Sequence, residues 1–215
     1  MSDFVLFDLD GTLTDPAEGI TNSVAYALDK YGIEVADKSS LNVFIGPPLS
    51  ESFRKYFKFS ILQSVDAVTK YREYYHDRGI FENRLYEGIT ELLAALKDAG
   101  KCVIMATSKP TVFAERIADH FDFRKYFDII VGSELDGTRI DKAEVIKEAL
   151  RQAGDPSPER CIMIGDRLHD VVGAKKTGLP CIGVLYGYGG REELEEEGAD
   201  VIVDSVTELH EYLIK

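Results

Sequence analysis

The sequence predicts an α/β fold: a doubly wound, mainly parallel sheet carrying an inserted α-helical cap. Three observations lead there. Short β-branched runs alternate with amphipathic helical stretches, the pattern of parallel strands joined through crossover helices. Glycines stand just beyond several of the helical stretches, where a left-handed residue closes a helix. The interval 15–84 offers helical patterns and no convincing strand, so it reads as an insert.

In chain order, the first strand is predicted over 4–7. The insert opens with a helix whose N-cap is Asp15, with Pro16 at the first helical position, where a missing N–H does no harm, and Glu18 three residues after the cap. Ile20, Val24, Leu28 and Tyr31 form its apolar stripe, and Gly32 ends it. Further helices are predicted over 48–56 and 66–78. Beyond the insert, strands over 103–106, 129–131, 161–164, 181–184 and 201–203 alternate with helices over 91–99, 112–121, 142–153 and 171–177. Gly100, Gly154 and Gly178 close three of these helices. The run Glu192, Glu193, Glu195, Glu196 and Glu197 reads as a solvated helix face. The resulting division is a sheet domain of residues 1–14 and 85–215 and a helical domain of residues 15–84.

Composition narrows the function. The chain has 215 residues, 45 % of them hydrophobic, enough for a buried core. Its 25 Lys and Arg against 38 Asp and Glu leave a net charge of −13, which repels nucleic-acid backbones and anionic membrane faces. Charges interrupt every apolar run before the roughly 20 residues a membrane span needs. No cationic and apolar leader precedes the first strand, and Cys102, Cys161 and Cys181 each sit in an apolar run, so the reading is a cytoplasmic protein with reduced thiols. The insert holds nine basic and ten acidic residues, a net of −1, so it repels an anionic ligand far less than the rest of the chain.

Four constellations carry possible chemistry. Asp8-Leu9-Asp10-Gly11-Thr12 follows the first strand, at the edge where open α/β sheets bind ligands. On an extended backbone Asp8 and Asp10 point apart, so both line one site only if the chain turns, which Gly11 permits. The same residues also suit a simple capped turn. Gly165-Asp166-Arg167-Leu168-His169-Asp170 places two carboxylates one helical pitch apart at another strand end. Carboxylates without clustered Cys or His ligands suit a hard cation, Mg²⁺, although acidic residues also favour helix N-termini for their own sake. Thr107 and Ser108 end a third strand, where hydroxyls bind ligands or cap the next helix. Lys142 stands in the first turn of a helix, against the macrodipole, and either meets a local anion or projects into solvent. The order of these segments brings Asp8, Thr107, Lys142 and Asp166 to one sheet edge.

On these residues the sequence resembles the haloacid dehalogenase-like hydrolase superfamily, in particular phosphatases of the phosphoglycolate phosphatase type with an α-helical cap. Asp8 to Thr12 matches its DxDGT motif, Thr107 its second-motif hydroxyl, Lys142 its third-motif lysine and Gly165 to Asp170 its GDxxxD motif. The resemblance implies a Rossmann-like core and a Mg²⁺-dependent phosphoric monoester hydrolase that acts on a small phosphate ester through an aspartyl phosphate on Asp8. It further implies that Asp10 is the general acid and base. Mg²⁺ would take Asp8, the Asp10 carbonyl, Asp166 and, directly or through water, Asp170. Leu9, Thr107, Ser108 and Lys142 would hold the phosphoryl group. Gly46, Pro47 and Arg54 in the cap are its candidate substrate residues, and a monomer or a homodimer fits equally.

Alternatives remain at this level. The segment Gly165-Asp166-Arg167 to Asp170, together with Gly183-Val184-Leu185-Tyr186-Gly187-Tyr188-Gly189, also looks like a branch of the superfamily assigned as 5′-nucleotidases, while the loop Tyr186-Gly187-Tyr188-Gly189-Gly190 reads either as lining a site entrance or as a glycine-rich turn. A phosphotransferase resembling β-phosphoglucomutase would use the same residues and return the group to another hydroxyl. A receiver-like, phospho-dependent binding module shares the carboxylates, hydroxyl and lysine, but the insert disfavours it.

Overall fold

The structure, a computed structural model, describes residues 2–214. The chain forms two compact units, one of the residues up to Asp15 and from Leu85 onward, the other Pro16–Arg84. Asp15 thus groups with the first unit, whereas the sequence reading gave it to the insert.

The first unit begins with β1 (Phe4–Phe7) and the two-residue β2 (Thr14–Asp15). In the second unit, α1 (Ala17–Asp29) buries Ile20, Val24 and Leu28. Its start corrects the sequence reading. Pro16, rather than Asp15, precedes the first helical residue, and no side chain caps the helix. The Asp15 carboxylate accepts a hydrogen bond from the Tyr188 hydroxyl instead. Next come α2 (Leu49–Phe57) and α3 (Ile61–Tyr74), the latter starting well before the expected residue 66. The cause is a reciprocal cap: the Gln63 N–H donates to Ser60 Oγ at 3.2 Å, and the Ser60 N–H donates to Gln63 Oε1 at 3.0 Å. Ile61, Leu62 and Val65 in this stretch are exposed, so no buried stripe marked the helix start. A π-helical turn, Tyr75–Gly79, ends it. Packing of Phe44 edge-on to Phe53 at 4.9 Å, with Phe59 stacked on Phe53 at 5.8 Å, fills this unit's core.

The chain returns through β3 (Arg84–Leu85) to α4 (Ile89–Asp98), β4 (Cys102–Pro110), α5 (Thr111–His120), β5 (Ile129–Ser133), α6 (Lys142–Gln152) and β6 (Cys161–Gly165). It ends with α7 (Leu168–Thr177), β7 (Cys181–Val184), α8 (Arg191–Glu197), β8 (Val201–Val203) and α9 (Val206–Ile214). Six parallel strands form one sheet in the order β5-β4-β1-β6-β7-β8. Strands buried on both faces need continuous apolar runs, and Val5-Leu6-Phe7, Val103 to Ala106 and Cys161 to Ile164 provide them. Leu6, Ile104 and Met163 join Ile146, Ala149, Val171 and Ala174 in the core beneath the helices. The three cysteines are free thiols.

Every predicted strand is present, and β4 runs on to Pro110 through a register shift after Ala106. The helix expected from residue 171 begins at Leu168. Helix α9 was not anticipated.

Register positions the chemistry. Phe7 pairs with Met105 on one side and with Ile164 on the other. The strand order reverses at β1, so Asp8 and Asp166 follow the ends of their strands beside Thr107, where β4 shifts register, at the crevice where such sheets bind ligands.

Candidate active site

The turn after β1 is tied to its own backbone. The Leu9 carbonyl accepts from the N–H groups of Leu13 at 2.9 Å and Thr14 at 3.0 Å, and the Gly11 N–H donates to the Thr14 carbonyl at 2.8 Å. Gly11 takes φ +84°, and a Cβ there would lie 2.1 Å from Asp166 Oδ2. Glycine therefore supplies both the turn and the room for the second carboxylate. The N–H of Asp8 donates to the Ile164 carbonyl at 2.9 Å, which fixes Asp8 to the end of β6.

Lys142 opens α6, whose N-cap is Asp141, accepting from the Ala143 N–H at 2.7 Å. Its side chain turns inward. Nζ lies 2.8 Å from Asp8 Oδ1 and 2.7 Å from Asp170 Oδ1, ion-pair contacts rather than aligned hydrogen bonds, and donates to the Ala106 carbonyl at 3.1 Å. Burial opposes its charge, but Asp170 and Asp8 outweigh that and raise its pKa, so it stays an ammonium.

Asp166 and Asp170 are fully buried. The Tyr188 N–H donates to Asp166 Oδ2 at 2.8 Å, and the Thr12 hydroxyl reaches Asp166 Oδ1 at 3.4 Å. The Arg167 N–H donates to Asp170 Oδ2 at 3.1 Å. One carboxylate oxygen from each of Asp8, Asp166 and Asp170 lies within 4.8 Å of the others. Burial, with the charges of Asp170 and Asp8, pushes Asp166 well above the usual carboxylate range. Burial also raises Asp170, and the Lys142 ammonium reverses this only in part.

Asp10 stands apart from that trio. Its Oδ2 pairs with Lys109 Nζ at 2.8 Å. Burial raises its pKa, Lys109 opposes the shift and Asp8 adds to it. Thr107 is buried, with Oγ1 accepting from the Lys109 N–H at 3.2 Å, and Ser108 is half-buried beside it. Leu9 is wholly buried, so any phosphoryl contact it makes is through its backbone.

Three buried carboxylates and the half-buried Asp10 thus share two ammonium groups. That imbalance, expressed as raised carboxyl pKa values, is what a divalent cation with oxygen ligands would offset, and the all-carboxylate donor set suits Mg²⁺. The residues fit the ion.

Of the residues singled out in sequence, Asp8, Asp10, Thr107, Lys142, Asp166 and Asp170 gather in the first unit. Gly46, Pro47 and Arg54 belong to the second. There Gly46 takes φ +98°, Pro47 is half-buried and Arg54 is exposed on α2. The sequence reading gave no role to Lys109, which directly follows Thr107 and Ser108. The 186–190 loop, which in sequence suits either a site entrance or a glycine-rich turn, has a definite place in the structure. That loop supports Asp166: a Cβ on Gly187 would come within 2.5 Å of Asp166 Oδ2, and one on Gly189 within 1.9 Å of its carbonyl oxygen.

The profile of the family described as Haloacid dehalogenase-like hydrolase matches residues 5–184. The chain belongs to that family. This haloacid dehalogenase-like hydrolase is 51 % identical over 190 residues to a protein of Pseudomonas aeruginosa named 5′-nucleotidase, covering 88 % of this chain and 86 % of the relative. It is 40 % identical over 212 residues to the tyrosine-protein kinase PtkA of Mycobacterium tuberculosis, covering 97 % and 72 %. The crystal structure of a predicted phosphatase from Clostridium acetobutylicum superposes with a TM-score of 0.96 at 51 % identity, over 100 % of this chain and 99 % of that one. The hydrolase is a phosphatase. Among its described residues no helix is long and apolar enough to cross a membrane.

Proposed function

We propose that this phosphatase hydrolyses nucleoside 5′-monophosphates, with Asp8 as nucleophile and Mg²⁺ held by Asp8, Asp166 and Asp170, together with the Asp10 carbonyl. The observation that carries the mechanism is the Asp8 carboxylate held 2.8 Å from a buried ammonium beside two further carboxylates. The 51 % identical 5′-nucleotidase supports the nucleotide class, and it reverses the preference for phosphoglycolate drawn from the motifs.

A carboxylate and a phosphate dianion repel each other, so attack needs positive charge nearby. Bound Mg²⁺ supplies part of that charge. Lys142 supplies the rest and orients Asp8. An oxygen of Asp8 attacks phosphorus as the ester P–O bond breaks, and Asp10 gives its proton to the leaving oxygen. Asp10 then takes a proton from the water that cleaves the aspartyl phosphate. Its raised pKa keeps a fraction protonated nearer neutrality, as the first step requires. The Thr107 hydroxyl and the N–H groups of Leu9 and Ser108 hold the phosphoryl oxygens. The second unit, Pro16–Arg84, acts as a cap that selects the substrate through Gly46, Pro47 and Arg54.

The test is phosphate release from nucleoside 5′-monophosphates, 2-phosphoglycolate, sugar phosphates and an aryl phosphate, with and without Mg²⁺, using Asp8→Asn as control. Mg²⁺-dependent release, fastest on nucleotides and lost in Asp8→Asn, supports the reading. Preference for phosphoglycolate would restore the motif-based order. The relative named a tyrosine-protein kinase supports a second reading, transfer to a tyrosine hydroxyl; phosphotyrosine in a polypeptide acceptor without matching phosphate release would favour it.

A further inference from the structure

Lys109 has no part in the scheme above, yet its side chain is nearly buried and paired. Its Nζ is 2.8 Å from Asp10 Oδ2, and the two side chains are 6 % and 14 % exposed. An exposed pair of this kind would contribute little, because water screens it and both chains move. Here the origin of the lysine is pinned as well. The Lys109 N–H donates to Thr107 Oγ1, the Ser108 carbonyl accepts from Ser133 Oγ at 2.8 Å, and the Lys109 carbonyl lies where a Cβ on Gly132 would come within 2.2 Å. Neighbouring β5 therefore closes on the segment that carries the lysine.

The two oxygens of Asp10 differ accordingly. Oδ2 is taken by the ammonium, whereas Oδ1 is buried and has no hydrogen-bond partner among the described residues. A buried carboxylate oxygen left without a donor is costly, so such an atom marks a place that a bound group fills. The other lysine of the site is engaged with Asp8 and Asp170, which leaves the orientation of Asp10 to Lys109.

We propose that Lys109 is the positioning residue for Asp10, holding Oδ2 so that Oδ1 is the atom that exchanges protons with the substrate. The inference rests on the acid–base reading of Asp10 given above. In the first half-reaction the proton on Oδ1 passes to the ester oxygen while the P–O bond breaks and the Asp8–phosphorus bond forms. In the second, Oδ1 takes a proton from water while the new P–O bond forms and the Asp8–phosphorus bond breaks. Lys109 keeps its own protons throughout. Its work is to stop the carboxyl rotating away from the ester oxygen.

The experiment compares kcat/KM on two esters in the full chain. A nucleoside 5′-monophosphate expels an alkoxide that needs the proton, whereas p-nitrophenyl phosphate expels a phenolate that does not. Asp10→Asn, Lys109→Met and Lys109→Arg are measured beside the parent, with KM and kcat separated and melting temperatures recorded. General acid catalysis contributes about 10² to 10⁴ in rate, and imperfect placement forfeits part of that. Lys109→Met is therefore expected to lose about 10- to 100-fold on the nucleotide and only a few-fold on the aryl ester, mostly in kcat. Lys109→Arg keeps a cation at the same place and should recover part of the loss, a result that a general packing role would not produce. Equal losses on both esters, or a rise in KM alone, would overturn the assignment by making Lys109 a phosphate ligand or a structural ion pair. If Asp10→Asn itself shows no leaving-group bias, the acid–base reading fails; a biased Asp10→Asn with an unbiased Lys109→Met removes the Lys109 inference only.

Discussion

A Cβ on Gly173 would lie 2.6 Å from Cγ and 2.9 Å from Cβ of Lys142, so this glycine of α7 is the floor on which the lysine stem rests. Gly173→Ala should therefore separate activity from stability. Alanine favours the helix by about 1 kcal/mol, and overpacking costs about 1–3 kcal/mol, so the net change in stability is expected to stay below about 2 kcal/mol. The displaced ammonium should lower kcat about tenfold, an effect near 1.4 kcal/mol on the barrier. Chemical unfolding and phosphate release on the same preparation check both parts. An unchanged kcat would mean that the lysine position is not critical.

Asp8→Asn keeps the shape of the side chain and removes its charge. Lys142 retains Asp170 at 2.7 Å, so the fold should persist. Phosphate release should fall by more than about three orders of magnitude, roughly 4 kcal/mol of barrier, on every ester tested. Residual turnover within tenfold of the parent would rule out Asp8 as the nucleophile.

Lys142→Met removes the counter-ion of two buried carboxylates. Breaking a buried pair typically costs about 3–5 kcal/mol, because a charge is left uncompensated. The lysine pKa is raised in the fold, so its contribution is intact below the ordinary lysine value and is lost only as pH rises through the higher folded value. The penalty should accordingly appear in urea unfolding at pH 8. It should shrink toward pH 5, where Asp170, raised to about 6 even beside the lysine, takes up a proton instead.

The raised carboxyls also tie Mg²⁺ binding to pH. In the metal-free protein burial lifts Asp170 from 3.8 to about 6 and lifts Asp166 as well. Such groups stabilise the fold below their unfolded pKa, and that contribution is lost as pH rises through the folded value. Ligation needs the carboxylate, so Mg²⁺ should displace more protons at pH 6, near the value to which Asp170 is raised, than at pH 8. Titration calorimetry in buffers of different ionisation enthalpy reads the proton count directly. The apparent affinity should rise steeply between pH 5 and 7, as Asp170 ionises. A flat profile would show that these carboxyls are already ionised without metal.

Much of this molecule can be read from its sequence, and what escapes has a common cause. The strands are legible because each is buried on both faces and must be apolar, and the paired motifs after β1 and β6 are legible because strand ends announce them. Asp15 illustrates the opposite case. Its local pattern is that of an N-cap, but a tyrosine remote in sequence takes the carboxylate. Lys109 lies in a recognisable stretch, yet nothing local says that its ammonium turns toward Asp10. Gly187 and Gly189 read as turn formers, while in space they make room for Asp166. The start of α3 was hidden by apolar residues that face solvent. Local chemistry is written in order along the chain; partners supplied by distant loops are not.

The sheet order also bears on how the enzyme is made. Its central strand β1 is synthesised before both its neighbours, β4 and β6, which arrive only after the whole second unit has been translated. Until β6 docks, Asp8 has neither its backbone tether to Ile164 nor Asp166 and Asp170 beside it. Such long-range pairing is slow to form and leaves an apolar strand waiting in the nascent chain. A growing chain of this protein therefore carries Asp8 without the groups that surround it in the fold, and that cluster can assemble only after β6 and the start of α7 have been made.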